Sequence, residues 1–326
     1  MKDAVLRILK QSRPKYLSGE EICKILRVTR TAVWKQIQSL RQEGYEIDAR
    51  PRAGYLLLAA PDKLYPEEIG DNLATRFIGR EIYYCESVPS TNDLAKELAQ
   101  KGVPEGTLVV VEEQTGGRGR LGRVWHSPSG EGLWFSLVFR PPVTPARAFQ
   151  MTILAAVALA EAIRIETGLP AGIKWPNDLL VDGKKLCGIL TEMSAEMERV
   201  NHMVLGVGIN VNQDEGDFPV EVRQTATSLL LQGGGPLSRV NLLRNILASL
   251  ERWYDRWIEE GFQPVLARWK DFTVTLGRPV RIHSMSESWE GWAEDVDDEG
   301  ALILRLPDGS HRRVISGEVS LRLDGF

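Results

Sequence analysis

One short segment, residues 116–123, constrains this chain more than any other, because it holds four glycines and three arginines in the sequence GGRGRLGR. It follows an apolar run at residues 107–111 that predicts a buried strand. Glycine lets the backbone adopt φ > 0 and come close to a ligand. Arginine offers a planar fork of hydrogen-bond donors that fits carboxylate or phosphate. The segment therefore predicts an anion-binding loop at the end of a buried strand.

Two well-known phosphate-binding loops do not account for this segment. The spacing of Gly117, Gly119 and Gly122 matches the dinucleotide fingerprint, but residues 125–130, WHSPSG, do not begin a helix. The acidic residue that this fold requires further along the chain is also missing. The Walker loop is excluded because Arg123 and Val124 stand where Lys and Ser or Thr are needed. Taken alone, the loop has a simpler interpretation as a solvated basic turn.

Length and composition indicate a globular chain of two or three domains, since its 326 residues are 43% hydrophobic and 26% charged. The start has no signal-peptide core, and we expect no membrane span, which needs ~18 apolar residues. Cys23, Cys85 and Cys187 lie far apart, without a metal-type spacing. We therefore expect a cytoplasmic protein without structural zinc and without a membrane partner.

Charge is distributed unevenly along the chain. Residues 1–60 contain twelve Lys or Arg and six Asp or Glu, a balance of +6, so the rest of this chain of net charge −4 carries −10. A basic segment joined to an acidic body predicts a polyanionic partner for the first segment.

The first sixty residues show the pattern of a winged helix-turn-helix. A first helix ends near Pro14, and Ser18 with Glu21 forms a capping box for a short second helix. Thr29 is placed to cap a third helix at residues 30–41. Two strands, at residues 45–48 and 55–58, then enclose a basic tip. This order is typical of a DNA-binding domain with a recognition helix and a wing.

Seven side chains are the candidate DNA contacts, because the exposed face of a recognition helix reads base edges and the wing contacts phosphates. They are Arg30, Thr31, Trp34, Lys35 and Gln38 on the helix, and Arg50 and Arg52 at the wing tip. A small helical module that binds protein, or no partner at all, is the alternative. The local excess of positive charge favours DNA.

A polar helix start follows a linker predicted at residues 59–68. Ser90, Thr91 and Asn92 open a helix after a strand at residues 82–84. Either one of them caps the helix, or together they present hydroxyl and amide groups to a small polar head group. The residues alone leave both interpretations open.

Further along, residues 132–139 predict a strand and residues 145–167 a long apolar core helix. A hairpin follows the run KWPND at residues 174–178, with Asp182 and Gly183 as a two-residue turn. Lys184 and Lys185 then face opposite ways, so one is expected to face solvent and the other the sheet.

A strand at residues 202–212 carries Gly206 and Gly208, which leave room for something to lie against its backbone. The helical pattern at residues 239–260 includes two core tryptophans. From residue 278, four or five short strands separated by turns at residues 297–300, 307–309 and 316–317 predict a small β-barrel.

Five motifs together make the chain resemble biotin protein ligases. They are STN at 90–92, GRGRLGR at 117–123, KWPND at 174–178, KLCGIL at 185–190 and GVGIN at 206–210. With the winged helix in front, the resemblance is to the bifunctional form, a biotin ligase and biotin operon repressor. One departure is Leu121, where the best-known member has Arg, and we expect it to affect loop order more than chemistry.

The resemblance implies an α+β fold of three domains. These are a winged helix-turn-helix at residues 1–62, a mixed-sheet, class II synthetase-like ligase domain at residues 63–272, and an SH3-like β-barrel at residues 273–326. It also implies two reaction steps. The carboxylate of biotin attacks the α-phosphorus of ATP, with Mg²⁺, to give biotinyl-5'-AMP and pyrophosphate, and a lysine of the biotin carboxyl carrier protein of acetyl-CoA carboxylase then accepts the biotinyl group.

The site residues that the resemblance implies are carried over motif by motif. The catalytic candidates are Arg118, Arg120 and Lys185, which with Gly119 line the carboxylate and phosphate. Ser90, Thr91, Asn92 and Gln114 are expected to bind biotin, Asn210 the adenine, and Trp125 to cover the site. Asp178 is the candidate Mg²⁺ ligand. We also expect the glycine-rich loop to be mobile when the site is empty.

The implied regulation joins the two activities. Bound biotinyl-AMP favours a homodimer whose winged helices fit a palindromic operator DNA, and the carrier protein competes for the same surface. Three alternatives stay open: a DNA-binding biotin sensor without ligase activity, a lipoate ligase, and a ligase whose winged helix no longer binds an operator. Lys185 and the loop arginines favour a ligase over a sensor.

Overall fold

The computed structural model describes residues 1–283, 287–315 and 317–321. The chain divides into two compact units, Met1–Lys63 and Leu64–Phe326. The described parts of each unit have their own hydrophobic core.

The first unit has the predicted order of three helices and a two-stranded wing. Its elements are α1 (Lys2–Ser12), α2 (Gly19–Leu26), α3 (Arg30–Gln42), β1 (Glu46–Arg50) and β2 (Gly54–Ala59). Both predicted caps are confirmed, because Ser18 and Glu21 form the reciprocal capping box of α2 and the Thr29 hydroxyl accepts from the N–H of Ala32. Leu17 adds a bridge to Tyr55, which ties the start of α2 to the wing.

A compact core explains why these helices pack together. On α3 the predicted stripe Val33, Ile37 and Leu40 is fully buried. It packs within a unit whose remaining buried apolar side chains are Val5, Leu6, Leu9, Ile22, Tyr45, Ile47 and Leu57. Burial of each such side chain contributes about 1.5–3 kcal/mol, so the apolar periodicity fixes which face of α3 stays in solvent.

A mixed seven-stranded sheet forms the centre of the second unit. Its strands are β3 (Ile82–Val88), β4 (Leu108–Gln114), β5 (Gly132–Phe139), β6 (Gly172–Lys174), β7 (Asp178–Val181), β8 (Lys184–Ala195) and β9 (Val200–Asn210). Their order across the sheet is β3-β4-β5-β9-β8-β7-β6, and all neighbours are antiparallel except β3 and β4. The predicted hairpin is confirmed, since Asp182 and Gly183 both have positive φ in the turn between β7 and β8.

Helices cover both faces of this sheet. They are α4 (Pro66–Gly70), α5 (Thr91–Gln100), α6 (Phe149–Thr167), α7 (Leu229–Gly233), α8 (Arg239–Glu260) and α9 (Gln263–Phe272). Alternate residues of β4 face opposite ways, so Val109 packs with Ala95 and Leu98 of α5 while Leu108 and Val110 join the larger core. The polar start of α5 is thereby held against the sheet.

The stretch Pro145–Thr167 is the one helix of the described chain that is long and apolar enough to cross a membrane, by length and composition. The expectation that no run reaches this length was therefore wrong. Most of the apolar window, 78%, is buried inside the fold, where α6 packs against α8 and α9. Its composition is that of a core helix.

The C-terminal strands form a five-stranded antiparallel sheet in the order β13-β12-β11-β10-β14. They are β10 (Arg278–His283), β11 (Ser288–Val296), β12 (Leu302–Arg305), β13 (His311–Val314) and β14 (Glu318–Leu321). The prediction of four or five short strands is thus confirmed, whereas their closure into a small β-barrel stays a prediction. Ser316 of the last predicted turn lies outside the described residues. Trp175 links the C-terminal sheet to the central sheet, because its indole N–H donates to the Gly300 carbonyl at 3.0 Å.

The predicted linker at residues 59–68 is too long. Leu64 and Glu68 are buried, and the Leu64 N–H donates to Glu112 Oε1 at 2.9 Å. Glu112 is itself fully buried and paired with Arg239 at 2.9 Å. The chain from Leu64 onward therefore belongs to the second unit, held by a carboxylate that no local pattern could reveal.

Candidate functional site

A cavity of about 280 Å³ opens between the start of α5, the glycine-rich loop, the β7–β8 hairpin and the C-terminal sheet. All the predicted ligand-site residues line it, although they come from separate segments. They are Ser90, Thr91, Asn92, Gln114, Arg118, Gly119, Arg120, Lys185 and Asn210, with Trp125 and Asp178. The fold therefore gathers these motifs into one site.

The start of α5 forms one end of the cavity. Ser90 is the N-cap residue, but its side chain makes no capping hydrogen bond. The N–H and the hydroxyl of Thr91 lie 2.9 Å and 3.0 Å from Gln114 Oε1, and Gln114 Nε2 donates to the Ser127 hydroxyl at 3.0 Å. These buried polar groups are therefore oriented by one another, which favours presentation to a ligand over simple capping.

Two further polar residues fix Asn92, and sequence reasoning missed both. Ser136 Oγ lies 2.8 Å from Thr91 Oγ1 and 2.6 Å from Asn92 Oδ1. Asn92 Nδ2 donates to Glu192 Oε2 at 2.7 Å. Ser136 carried a usable signal, because it is the one hydroxyl in the otherwise apolar strand GLWFSLVF.

The two glycines of β9 form the floor of the cavity. A Cβ at Gly206 would lie 2.1 Å from Asn92 Oδ1, and one at Gly208 would lie 2.4 Å from Trp125 Nε1. The room predicted beside them is thus taken up by the chain's own side chains. Trp125 Nε1 is buried and has no hydrogen-bond acceptor among the described residues, which leaves a donor at the cavity wall.

Backbone hydrogen bonds shape the glycine-rich loop. The Trp125 N–H donates to the Gly117 carbonyl at 2.9 Å, and the Gly119 N–H to the Arg123 carbonyl at 2.7 Å. The turn between them places Leu121 and Gly122 at φ 55° and 74°. Leu121 is 65% exposed, so the residue that departs from the family pattern lies at the tip of the loop, where it also lines the cavity.

The loop arginines have different surroundings. Arg118 pairs with Asp93 on α5 and lies 3.7 Å from Glu192. Arg120 Nη1 donates to Asn177 Oδ1 at 3.1 Å and to the Gly317 carbonyl at 3.2 Å. Arg118 therefore stands at the rim, whereas Arg120 reaches across the cavity to the C-terminal sheet.

Lys185 lines the cavity and Lys184 is exposed to solvent. The prediction that these two side chains point in opposite directions is therefore confirmed. Lys185 Nζ lies 2.7 Å from Asp178 Oδ1, an ion pair without good hydrogen-bond alignment, and 5.3 Å from the centroid of the Trp125 ring. Lys174 Nζ lies 4.0 Å from Asp178. The Asp178 carboxylate thus has two ammonium neighbours.

Among the described residues no three His, Cys, Asp or Glu side chains converge on a metal position. A single carboxylate such as that of Asp178 is enough for Mg²⁺ when substrate phosphates and water supply the other ligands of the ion.

Asn210 lines the opposite end of the cavity, and its amide is engaged by the protein. Its Nδ2 donates to the Thr227 carbonyl at 2.9 Å and its Oδ1 accepts from Gln213 at 3.2 Å.

Phe218, Val222 and Val319 also line the cavity. Sequence reasoning missed these apolar side chains, which lie in segments without a motif.

The seven candidate DNA contacts lie on one unit, as predicted, and six are exposed. Gln38 is half-buried, whereas Trp34 is 53% exposed on α3. The Arg50 guanidinium stacks 4.8 Å from the centroid of the Tyr16 ring and pairs with Asp48 at 3.0 Å. An exposed tryptophan on a basic helix face is the signal of a contact surface, because such a side chain is normally buried.

Three segments of the chain match known protein families. Residues 2–56 match an HTH domain, residues 84–210 the biotin/lipoate A/B protein ligase family, and residues 275–322 the biotin protein ligase C terminal domain.

Similar proteins cover almost the whole chain. The bifunctional ligase/repressor BirA of Bacillus subtilis is 41% identical over 317 residues, which is 97% of both chains. The bifunctional ligase/repressor BirA of Escherichia coli is 31% identical over 94% of this chain and 92% of its own. Among solved structures, the biotin protein ligase from Aquifex aeolicus in complex with biotin and ATP is 29% identical. It covers 74% of this chain and 99% of its own, with a TM-score of 0.64.

Proposed function

This chain belongs to the biotin protein ligase family, in the form of the bifunctional ligase/repressors, and from that membership we propose that it is an ATP-dependent biotin ligase and a repressor of the biotin operon. One observation carries the enzymatic half of the proposal. The polar helix start, the glycine-rich loop and the hairpin lysine, which are far apart in the sequence, line a single cavity. The chain's three family matches support a division into domains at residues 1–62, 63–272 and 273–326.

The head group of biotin fits the end of the cavity at α5. Its ureido ring offers both N–H donors and a carbonyl acceptor. Ser90, Thr91, Asn92 and Gln114 supply hydroxyl and amide groups there. Hydrogen bonds between Thr91 and Gln114, and from Ser136 to Asn92, fix three of these residues before the ligand arrives. Preorganised polar groups of this kind discriminate strongly against ligands that leave them unpaired.

The chemical step joins two anions, so positive charge must offset their repulsion. The carboxylate oxygen of biotin forms a bond to the α-phosphorus of ATP, and the bond to pyrophosphate breaks. Arg120 and Lys185 line the cavity beside Gly119. The N–H of Gly119 donates to the Arg123 carbonyl within the loop. Arg120 and Lys185 are placed to stabilise the negative charge that develops on the phosphate, and Arg118 adds a third positive group at the rim.

ATP enters with Mg²⁺ as part of the substrate, and Asp178 is the carboxylate placed to contact that ion. Because Lys185 already pairs with Asp178, the arrival of phosphate and Mg²⁺ would exchange these partners and free the ammonium group for the reacting carboxylate. Asn210 is assigned to the adenine end and Trp125 to the wall that excludes water from the mixed anhydride.

The second step transfers the biotinyl group to a lysine amine, with AMP as the leaving group. We assign the biotin carboxyl carrier protein of acetyl-CoA carboxylase, a cytoplasmic partner, as the acceptor. The test incubates the full chain with biotin, ATP and Mg²⁺, adds the apo carrier domain, and measures the mass of that domain. A gain of one biotinyl group is the expected result. Biotin binding without transfer would leave a DNA-binding biotin sensor, and no biotin binding would reject both functions.

The repressor half rests on the exposed basic face of the first unit. Arg50 and Arg52 at the wing tip are assigned to phosphates, so replacing either by Gln should weaken binding to operator and unrelated DNA alike and lower the salt dependence by about one counterion. Replacement of Trp34 by Ala should instead reduce the preference for the operator. If Arg52→Gln leaves the salt dependence unchanged, the assignment of the wing to DNA phosphates is wrong. If Trp34→Ala keeps the full preference for the operator, the assignment of α3 as the recognition helix is wrong.

Ligand and DNA are linked through dimerisation in this proposal. Biotinyl-AMP is expected to strengthen a homodimer, with a coupling free energy of typically ~1–3 kcal/mol. The dimer presents two winged helices to a palindromic operator, while the carrier protein competes for the same face. The supply of unbiotinylated acceptor would therefore decide between ligase and repressor.

A further inference from the structure

Four charged side chains form a closed ring of ion pairs at the rim of the cavity. Arg118 pairs with Asp93, Asp93 with Lys96 at 2.9 Å, Lys96 with Glu192 at 3.0 Å, and Glu192 lies 3.7 Å from Arg118. We call these residues the charge ring. Its two cations and two carboxylates cancel, and all four side chains are roughly one-third exposed.

The charge ring joins three parts of the site. Arg118 belongs to the glycine-rich loop, Asp93 and Lys96 to α5, and Glu192 to β8. Glu192 also accepts the hydrogen bond from Asn92 Nδ2 at 2.7 Å. The ring therefore connects the loop to the same asparagine that is assigned to the ligand.

Both carboxylates of the charge ring remain ionised at neutral pH. Partial burial raises the pKa of Asp93, but hydrogen bonds from Arg118 and Lys96 outweigh it and hold the pKa below its usual value. Burial likewise raises the pKa of Glu192, and hydrogen bonds from Asn92 and Lys96 outweigh it. The ring therefore keeps both of its negative charges at neutral pH.

Arg118 is consequently less available to an anion than a guanidinium without these two carboxylates would be. Two carboxylates close to one guanidinium oppose the field that it would exert on a phosphate. Arg120 donates to the oxygens of Asn177 and Gly317. Arg118 and Arg120 therefore contact different parts of the site.

We propose that Asp93 and Glu192 are positioning residues, which hold Arg118 and so fasten residues 117–125 to the start of α5 over the bound ligand. The ligand meant here is biotinyl-AMP, and its identity rests on the proposed function. Asp93 does not line the cavity, so it acts through Arg118 and not by contact with the reacting atoms. Lys96 pairs with both carboxylates and so competes with Arg118 for them.

The experiment measures how fast the full-length protein releases biotinyl-AMP. The intermediate is formed on the enzyme from labelled biotin, ATP and Mg²⁺, excess substrate is removed, and unlabelled substrates are added as a chase. Asp93→Asn is expected to release the intermediate about fivefold faster, because an ion pair of this exposure is worth up to ~1 kcal/mol. Hydrogen exchange at residues 115–125 should rise in the same variant.

Matched controls separate the ring from general effects. Glu97→Gln makes the same change of charge at an exposed position of α5 and should leave the release rate unchanged. Lys96→Met removes a competitor of Arg118 and should release the intermediate no faster than the wild type. Rising salt should speed release from the wild type more than from Asp93→Asn, because it screens the ring.

Three results would overturn the proposal. They are release from Asp93→Asn at the wild-type rate, faster release from Lys96→Met, and equal salt dependence of release from Asp93→Asn and the wild type. If Asp93→Asn is unstable, the wild type decides, because release that rising salt does not speed would also overturn the proposal. Failure of the wild type to form biotinyl-AMP would reject the proposed function instead, so the two failures are distinguishable.

Discussion

Gly206 is the position at which one added methyl group should disturb the site most clearly. A Cβ there would lie 2.1 Å from Asn92 Oδ1 and 2.8 Å from its Cγ. A carbon and an oxygen normally approach to about 3.3 Å, so a shift of about 1 Å is required. β9 is hydrogen-bonded to β5 on one side and β8 on the other, which prevents the backbone from moving away.

The shift therefore falls on Asn92, whose amide is held by Ser136 and Glu192. Overpacking costs ~1–3 kcal/mol, and each lost hydrogen bond adds ~1 kcal/mol. Gly206→Ala should thus lower the free energy of unfolding by about 2–4 kcal/mol, measured by urea denaturation. Calorimetry should show the biotin Kd raised at least about tenfold, since ~1.4 kcal/mol of lost binding suffices.

A double-mutant cycle with Asn92→Ala tests the cause. In that background the obstacle is absent, so Gly206→Ala should be nearly neutral, and the two substitutions should be strongly non-additive. Gly235→Ala is the control, because a Cβ at Gly235 meets nothing within 4 Å. An equal loss of stability from Gly206→Ala in both backgrounds would refute the steric argument.

Four further predictions concern separate parts of the chain. Arg120→Ala should slow adenylation of biotin by ~10²–10³ in single-turnover assays, because it removes a charged donor from the reacting phosphate. Arg239→Met should lower the free energy of unfolding by ~3–5 kcal/mol, since it leaves the Glu112 carboxylate buried without its partner. Biotinyl-AMP should lower the dimer dissociation constant in sedimentation. Glu161→Gln should destabilise the protein at neutral pH, with an effect that shrinks in acid.

The pH prediction follows from the surroundings of Glu161. Burial raises its pKa, but the hydrogen bond from Trp253 and the charge of Arg252 outweigh it, so its pKa in the folded state is lowered. A lowered carboxyl pKa contributes stability above the unfolded value of ~4.3 and loses it as pH falls through the folded value. Urea midpoints of both proteins should therefore converge as pH falls below about 4.

The other three predictions have equally direct counter-results. Normal adenylation by Arg120→Ala would remove that residue from the chemical step. The pair Glu112→Leu with Arg239→Met should be milder than Arg239→Met alone, and a greater loss would show that the charge pair itself stabilises the core. An unchanged dimer constant would reject the coupling between ligand and operator.

Features whose partners lie close along the chain could be predicted from the order of residues. The capping box of Ser18 and Glu21, the cap at Thr29 and the turn at Asp182 and Gly183 all form within a few residues. The burial of α6 and the exposure of one face of α3 follow from composition and periodicity in the same way. Each is a local arrangement of backbone and side chain, so the order of residue types is enough to predict it.

Which distant groups meet became clear from the folded chain alone. The fold paired Arg118 with Asp93 and Glu192, placed Ser136 beside Asn92, and buried Glu112 against Arg239 and the Leu64 N–H. It also brought Gly317 of the C-terminal segment to Arg120. These contacts depend on strand register and on the packing of helices against the sheet. Because a charged or polar side chain has the same appearance in a sequence whether its partner is water or a buried group 100 residues away, local patterns could not reveal them.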